Sequence, residues 1–201
     1  MKRIVCRFGM AAGIAVVIAM LATYYVTECG VFETEPAGVE ELREQNEASS
    51  PEWLNGQVAW LRLDGTHIDY PVMQTSDNYW FLNHDFYNNE SVSGAIFLDF
   101  RNAPDFSDKL SIIYGHRMNG SLMFSDIAKY RDVEYLAEHS FGELIFSGQS
   151  IKLHVKEYRE ITAEDKLYRD LSWQGEKRVL VLSTCDRSNH NLRDVLILEY
   201  E

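Results

Sequence analysis

The feature of this sequence that most restricts its fold is a pair of short apolar runs near the C-terminus. The first run extends from Arg178 to Cys185, and the second from Arg193 to Tyr200. Each is rich in β-branched and aliphatic residues, and the polar residues between them are typical of a turn, so the pattern predicts two β-strands. If these strands are neighbours, the thiol of Cys185 and the guanidinium of Arg193 lie at the same end of one sheet.

Cys185 and Arg193 together indicate nucleophilic chemistry. A permanent cation near a sulfur favours the thiolate, which is the nucleophilic form, and a guanidinium can also stabilise an oxyanion. The alternative is a buried structural cysteine beside a surface arginine, the usual interpretation of a lone cysteine. His116 follows a further apolar run, Lys109 to Tyr114, and a histidine in that place can protonate a leaving amine. The three residues are therefore the candidate catalytic group.

An uncharged apolar segment near the N-terminus, Phe8 to Thr27, is long enough to cross a bilayer as a helix. Lys2, Arg3 and Arg7 precede it, which predicts a cytoplasmic N-terminus. We expect residues 1–29 to form an uncleaved signal anchor, with the rest of the chain outside the cell. The competing interpretation is a cleaved signal peptide.

Charge and cysteine content exclude several function classes. The chain beyond the apolar segment contains all 31 acidic residues but only 16 of the 19 lysines and arginines, which argues against nucleic acid as a partner. Cys6 and Cys29 lie in or next to the predicted anchor, so Cys185 has no disulfide partner in the exported part. No His, Cys or acidic residues have the spacing of zinc ligands, and neither a metal nor a cofactor is predicted.

The exported part is predicted to be mainly β with short helices. Residues 30–52 form an acidic linker in which Thr34 could cap a helix to about Asn46, and we interpret this linker as a solvated stalk or a spacer. Helices are also expected over Asp77–Leu82, Ser121–Lys129 and Val133–Glu138. Eight runs read as strands: Gln57–Leu63, Thr66–Pro71, Gly94–Asp99, Lys109–Tyr114, Phe141–Phe146, Ser150–Tyr158, Val179–Ser183 and Asp194–Tyr200. Many short strands with small helical crossings indicate a closed or nearly closed β-barrel.

Several motifs, in a fixed order, resemble those of sortases, the cysteine transpeptidases of Gram-positive cell surfaces, and of class B in particular. They are Asp64-Gly-Thr-His-Ile-Asp-Tyr-Pro71, Asp77-Asn78, Leu82-Asn-His-Asp-Phe86, Gly94-Ala-Ile-Phe-Leu-Asp99, Tyr114-Gly-His-Arg-Met118, Met123-Phe124 and Leu182-Ser-Thr-Cys185 followed by Arg193. The resemblance covers roughly Asn55 to Glu201. It implies an eight-stranded sortase-type barrel as the catalytic domain, over residues 53–201.

The resemblance also implies a two-step reaction. Cys185 would attack the carbonyl of a Thr in the C-terminal sorting signal of a surface protein, and protonated His116 would donate to the leaving amine. Arg193 would hold the substrate and the oxyanion, and an amine on peptidoglycan or on a pilin would then resolve the thioacyl-enzyme. By position in their motifs, the residues expected to line the peptide groove are Asn78, Leu82, Ser183 and Thr184.

The sequence departs from class B in one place. A long helical insertion usually forms a wall of the groove there, whereas this chain has only Arg159 to Lys177, with room for one or two helical turns between Glu164 and Leu171. We therefore expect a more open groove with looser selectivity. Three alternatives stay open: a pilin-polymerising class B-like sortase, a Cys-His peptidase without transfer, and a membrane-anchored binding module with an inert Cys185.

Overall fold

The structure is a computed structural model that describes residues 35–47, 53–171, 173–185 and 191–200. The predicted membrane segment, Phe8 to Thr27, lies outside the described residues. Within those residues, no helix has both the length and the apolar character needed to span a membrane. The described residues all belong to one compact unit, Thr34–Glu201.

Eight strands form a closed barrel within the described part of the chain. Its mixed order is β1-β2-β3-β4-β7-β8-β6-β5, with parallel pairing between β2 and β3 and between β4 and β7. The prediction of an eight-stranded, mainly β barrel is therefore confirmed. The strands are β1 (Gln57–Leu63), β2 (Asp69–Met73), β3 (Ile96–Leu98), β4 (Leu110–Tyr114), β5 (Phe141–Phe146), β6 (Gln149–Thr162), β7 (Arg178–Cys185) and β8 (Leu192–Tyr200).

Three short α-helices and two 3-10 helices occur among the described residues. The α-helices are α1 (Val39–Glu47), α2 (Val133–Glu138) and α3 (Lys166–Asp170), and the 3-10 helices are Trp80–Leu82 and Ser125–Arg131. The sequence predicted α2 with its observed bounds, and Asp132 begins it by accepting hydrogen bonds from the first turn. The one or two helical turns allowed between β6 and β7 correspond to α3.

Two predicted helices are shorter than expected, for local reasons. The Asp77 carboxylate accepts hydrogen bonds from the backbone N–H groups of Tyr79 and Trp80, at 2.7 and 2.9 Å, which is the contact of a helix cap, but residues 77–79 are themselves not helical. Only the single 3-10 turn Trp80–Leu82 follows them. Farther along, Ser121 and Met123 have positive φ angles of 64° and 52°, which are incompatible with a helix from Ser121. The helical turns therefore begin at Ser125.

Strand β7 is buried on both faces, which explains its continuous apolar sequence. One face belongs to the barrel interior, and the other belongs to a second apolar cluster outside the barrel wall. That outer cluster consists of Leu110, Ile112, Val179, Val181, Val195 and Ile197, and it is covered by Leu167, Tyr168, Leu171 and Trp173. The covering residues lie in the connection between β6 and β7.

The β6–β7 connection is even shorter than the sequence indicated. Strand β6 was predicted to end at Tyr158, but it continues to Thr162 because Arg159 to Thr162 pair with β8. The connection therefore comprises residues 163–177, in which α3 is the helix described. It lies over the outer face of β4, β7 and β8 through its apolar side chains.

Helix α1 packs against the barrel. Val39 and Leu42 are buried, and the Nε of Arg43 donates to the backbone carbonyl of Asp69 at 3.0 Å. Arg43 also forms an ion pair with Glu35 at 2.7 Å. The interpretation of this stretch as a solvated stalk is therefore wrong for residues 35–47, because the apolar stripe of the helix is covered.

Candidate active site

The antiparallel ladder between β7 and β8 places Cys185 directly opposite Arg193. Residues opposite each other in such a ladder point to the same face, with Cβ atoms roughly 5 Å apart. The two C-terminal runs are therefore neighbouring strands, which is the condition under which the thiol and the guanidinium were expected to meet. Cys185 is a free cysteine that is partly accessible to solvent, as a nucleophile must be.

His116 reaches the same place through the parallel pairing of β4 with β7. Tyr114 lies opposite Ser183, and the ladder continues as the N–H of Gly115 donates to the carbonyl of Ser183 at 3.2 Å. Since the two strands run in the same direction, His116 and Cys185 each lie two residues beyond the pair Tyr114–Ser183. Cys185 is thus flanked by a histidine from one neighbouring chain segment and by an arginine from the other.

The imidazole of His116 is oriented by a backbone carbonyl. Its Nε2 lies 2.8 Å from the carbonyl oxygen of Leu82, and since a carbonyl oxygen can only accept, Nε2 carries the proton in this contact. This contact leaves Nδ1 as the ring nitrogen that is available for proton exchange. Gly94 lies close to this contact: a Cβ there would be 2.4 Å from the Phe81 carbonyl oxygen and 3.2 Å from Cδ2 of His116. The glycine therefore permits the close approach of the chain to the imidazole.

The seven candidate residues from the sequence surround one cavity of about 440 Å³. The structure thus places all seven of these residues at one cavity. It also shows aromatic residues in the cavity wall that the sequence analysis did not single out. The lining residues are Asn78, Leu82, Phe97, Tyr114, Gly115, His116, Ala163, Tyr168, Ser183, Thr184, Cys185 and Arg193.

Asn78 and Leu82 line the cavity, but not as successive turns of one helix. Asn78 precedes the 3-10 turn, and both ends of its amide are used within the protein: Nδ2 donates to Asp99 at 3.0 Å, and Oδ1 accepts from the N–H of Phe100 at 3.0 Å. Leu82 ends the turn, and its carbonyl holds His116. The expectation that both project from a common helix face is wrong, because the helical turn begins only at Trp80 and Asn78 lies before it.

Ser183 and Thr184 enter the wall from β7 in different ways. Side chains alternate along a strand, so Ser183 lies on the face of Cys185 and Thr184 on the opposite one. The Ser183 hydroxyl is 2.8 Å from the hydroxyl of Tyr168. The hydroxyl of Thr184 is buried, and within the described residues it has no hydrogen-bond partner.

Tyr168 is one of the lining residues that the sequence analysis did not predict. It belongs to α3, and burial raises its pKa to about 12, so the phenol remains protonated. Its ring stacks on Tyr114 with centroids 6.3 Å apart. The position of Tyr168 in the connection that was expected to form a groove wall was the one available signal.

Comparisons with known proteins identify the family of this chain. The sortase domain family matches residues 61–198. A sortase B from Listeria monocytogenes is 31% identical over an alignment of 153 positions that covers 64% of this chain and 62% of that protein, so the match spans less than two thirds of the relative's length.

Solved structures show the same fold. A class B sortase of Streptococcus pyogenes, described as involved in pilus biogenesis, is 29% identical, with a TM-score of 0.67 over 74% of this chain and 94% of its own. A mutant form of Clostridium perfringens sortase B is 22% identical, with a TM-score of 0.76 over 85% of this chain and 100% of its own, a likeness of fold alone. Since the family match includes more than half of the sequence, the chain belongs to the sortase family, and its relatives are class B sortases.

Proposed function

We propose that this chain is a membrane-anchored cysteine transpeptidase of class B. It cleaves a C-terminal sorting signal after Thr and joins the acyl group to an amine. The observation that carries this proposal is the strand register that flanks Cys185 with His116 and Arg193 at one cavity. Sortases as a family are cysteine transpeptidases, and the residues that such chemistry needs are all present here.

The first step is acylation of Cys185. The thiolate sulfur attacks the carbonyl carbon of the substrate Thr, and the carbonyl oxygen becomes an oxyanion beside Arg193, whose guanidinium can donate to it. As the tetrahedral intermediate collapses, the C–N bond breaks and His116 gives its proton to the leaving amine. The products are a thioester on Cys185 and the released C-terminal fragment.

The second step is transfer. An acceptor amine attacks the thioester carbonyl, its proton passes to His116, and the sulfur leaves as the thiolate that begins the next cycle. The acceptor is an amine of a peptidoglycan precursor or of a pilin. In neither step does the chemistry require a metal or a cofactor.

The cavity wall supports binding of an extended peptide. Leu82 and Ser183 present an apolar side chain and a hydroxyl to the cavity, and Thr184 borders it from β7 with its hydroxyl buried. Asn78 acts on the substrate mainly by holding the segment around Phe100, because its amide is engaged there. The substrates are surface proteins that bear a sorting signal.

The proposed location is the outer face of the cell membrane of a Gram-positive bacterium. Residues 1–29 would form the anchor with a cytoplasmic N-terminus, and the catalytic domain would follow it, with α1 packed on the barrel of residues 53–201. The proposed anchor rests on the apolar segment Phe8 to Thr27, which Lys2, Arg3 and Arg7 precede. Cleavage of the full-length protein by a protease added to intact cells would test this topology.

The decisive experiment incubates the full-length protein with a library of sorting-signal peptides, with and without an added amine. Mass spectrometry should show cleavage after Thr and, when the amine is present, a new amide product. Cys185→Ala should give neither, because no thioacyl-enzyme can form. Cleavage without any amide product would identify a peptidase, and product formation by Cys185→Ala would refute the assignment of the nucleophile.

A second acceptor class is favoured by one relative, since the similar Streptococcus pyogenes enzyme is involved in pilus biogenesis. The same assay distinguishes the two acceptors. A preference for a peptide that carries a lysine side chain over a peptidoglycan-type amine would indicate pilin polymerisation, and the reverse preference would indicate cell-wall anchoring.

A further inference from the structure

A buried carboxylate beside the cavity has no part in the proposed chemistry. Asp99 follows β3, is fully buried, and accepts hydrogen bonds from the Tyr114 hydroxyl at 2.9 Å and from the Asn78 amide at 3.0 Å. Arg101 binds both of its oxygens, with Nε at 2.9 Å and Nη2 at 2.7 Å. Burial alone would raise the pKa of Asp99, but these donors outweigh it and hold the pKa below its usual range.

Arg101 also reaches across to the β6–β7 connection. Its Nη2 donates to the carbonyl of Tyr168 at 2.8 Å, and its Nη1 donates to the carbonyl of Arg169 at 3.2 Å. Both carbonyls belong to α3, a helix of five residues whose final carbonyls have no partner within the helix. One guanidinium therefore binds a buried carboxylate of the barrel and two backbone carbonyls of the cavity wall.

Tyr168 is thus held at two ends. Its backbone is bonded to Arg101, and its hydroxyl is bonded to Ser183. Its ring stacks on Tyr114, whose own hydroxyl donates to Asp99. The contacts form a closed circuit from Asp99 through Arg101 and Tyr168 to Tyr114 and back.

We propose that Arg101, bound by Asp99, is a positioning residue that fixes the short β6–β7 connection and holds Tyr168 in the wall of the peptide cavity. The pair serves substrate binding, because a wall that is already ordered need not be ordered when the peptide enters. Neither side chain lines the cavity, so both act through Tyr168. The part of this inference that concerns the peptide rests on the proposed function.

The test variant is Arg101→Lys in the full-length protein. Lysine keeps the charge next to Asp99, but an ammonium cannot bind a carboxylate with two parallel bonds and reach two carbonyls as well. For a sorting-signal peptide, KM should rise about three- to tenfold while kcat stays near that of the wild type, since only wall ordering is lost. An unchanged KM, or a kcat that falls as much as KM rises, would overturn the proposal.

The matched control is Arg62→Lys. Arg62 is also a partly buried arginine with acidic partners, Asp69 at 3.2 Å and Glu143 at 3.5 Å, but it lies on β1, opposite β7 in the barrel order. Its KM should equal that of the wild type. A rise in KM as large as that of Arg101→Lys would mean that any weakened ion pair loosens the protein, and the positioning role would fall.

Hydrogen–deuterium exchange gives a readout that needs no activity. Arg101→Lys should lose amide protection over residues 163–171 and keep it in β7 and β8, whereas Arg62→Lys should change neither region. Unaltered protection of residues 163–171 would refute the positioning role even if the wild type cleaves sorting signals. If the wild type cleaves no sorting signal, the proposed function fails, and loss of protection would still establish that Arg101 holds the connection.

A double-variant comparison asks whether Arg101 acts through Tyr168. Tyr168→Phe removes only the hydroxyl bonded to Ser183 and should raise KM by itself. In the protein with Arg101→Lys the wall is already loose, so adding Tyr168→Phe should raise KM by a smaller factor than it does alone. Factors that simply multiply would show that the two residues act independently and would contradict the circuit.

Discussion

Arg193 lies opposite Cys185 in the β7–β8 ladder, where a planar guanidinium can serve the substrate and the oxyanion at the same time. We expect Arg193→Lys to lower kcat/KM on a sorting-signal peptide by roughly a hundredfold or more, since loss of an oxyanion donor raises the barrier by ~3 kcal/mol. Steady-state kinetics measures the loss. Arg159→Lys on β6 is the control, because Arg159 is bonded to Glu157 and does not line the cavity. Activity of Arg193→Lys close to that of the control would indicate a merely electrostatic role.

Leu82 is a single residue whose backbone and side chain have different contacts in the site. Its backbone carbonyl orients His116, and its side chain lines the cavity. Leu82→Ala keeps the carbonyl, so alkylation of Cys185 by a small reagent should proceed as in the wild type. Peptide turnover should fall roughly ten- to two-hundredfold, the usual effect of an aliphatic contact in a pocket. Equal losses in alkylation and turnover would show that the side chain supports the fold and not the substrate.

At the scale of elements, one buried ion pair joins the segment after β4 to β8. Asp194 is fully buried and accepts from Arg117 at 2.5 Å, from Arg131 at 2.8 Å and from the Tyr158 hydroxyl at 2.6 Å. Arg117 follows His116 and Asp194 follows Arg193, so the pair ties together the chain segments that carry two of the three candidate catalytic residues. Asp194→Asn should lower the free energy of unfolding by about 3 kcal/mol, because it leaves a buried cation without its counter-charge.

Urea denaturation measures that loss, and Glu160→Gln is its control. Glu160 also pairs with Arg131, at 3.0 Å, but both side chains of that pair are partly exposed. Exposed pairs contribute little, so this change should cost less than about 1 kcal/mol. Similar losses in the two variants would show that Asp194 is no more important to the fold than a surface carboxylate.

At the scale of the whole molecule, predictions from sequence succeeded where they depended on strand periodicity. Apolar runs that end near His116 and Cys185 and begin near Arg193 predicted the strands that carry these residues, whereas the residues of the peptide groove came from the resemblance to class B sortases. The contacts of Arg101 could not be predicted, because its partners Tyr168 and Arg169 lie 67 and 68 positions away and are bound through backbone carbonyls. Every residue has a backbone carbonyl, so the residue types at positions 168 and 169 do not indicate that these carbonyls bind an arginine.

The folded unit as a whole extends to α1, which the sequence left in the linker. Val39 and Val133 are each the first residue of a helix, but Val39 is 2% exposed and Val133 is 79% exposed. In a fragment that begins at Glu33, which should be soluble without detergent, Val39→Ala should lower the free energy of unfolding by about 2 kcal/mol. The same substitution at Val133 should change it by less than about 0.5 kcal/mol. If urea denaturation gives the same small change for both, α1 does not contribute to the stability of the barrel, and the folded unit begins after residue 52.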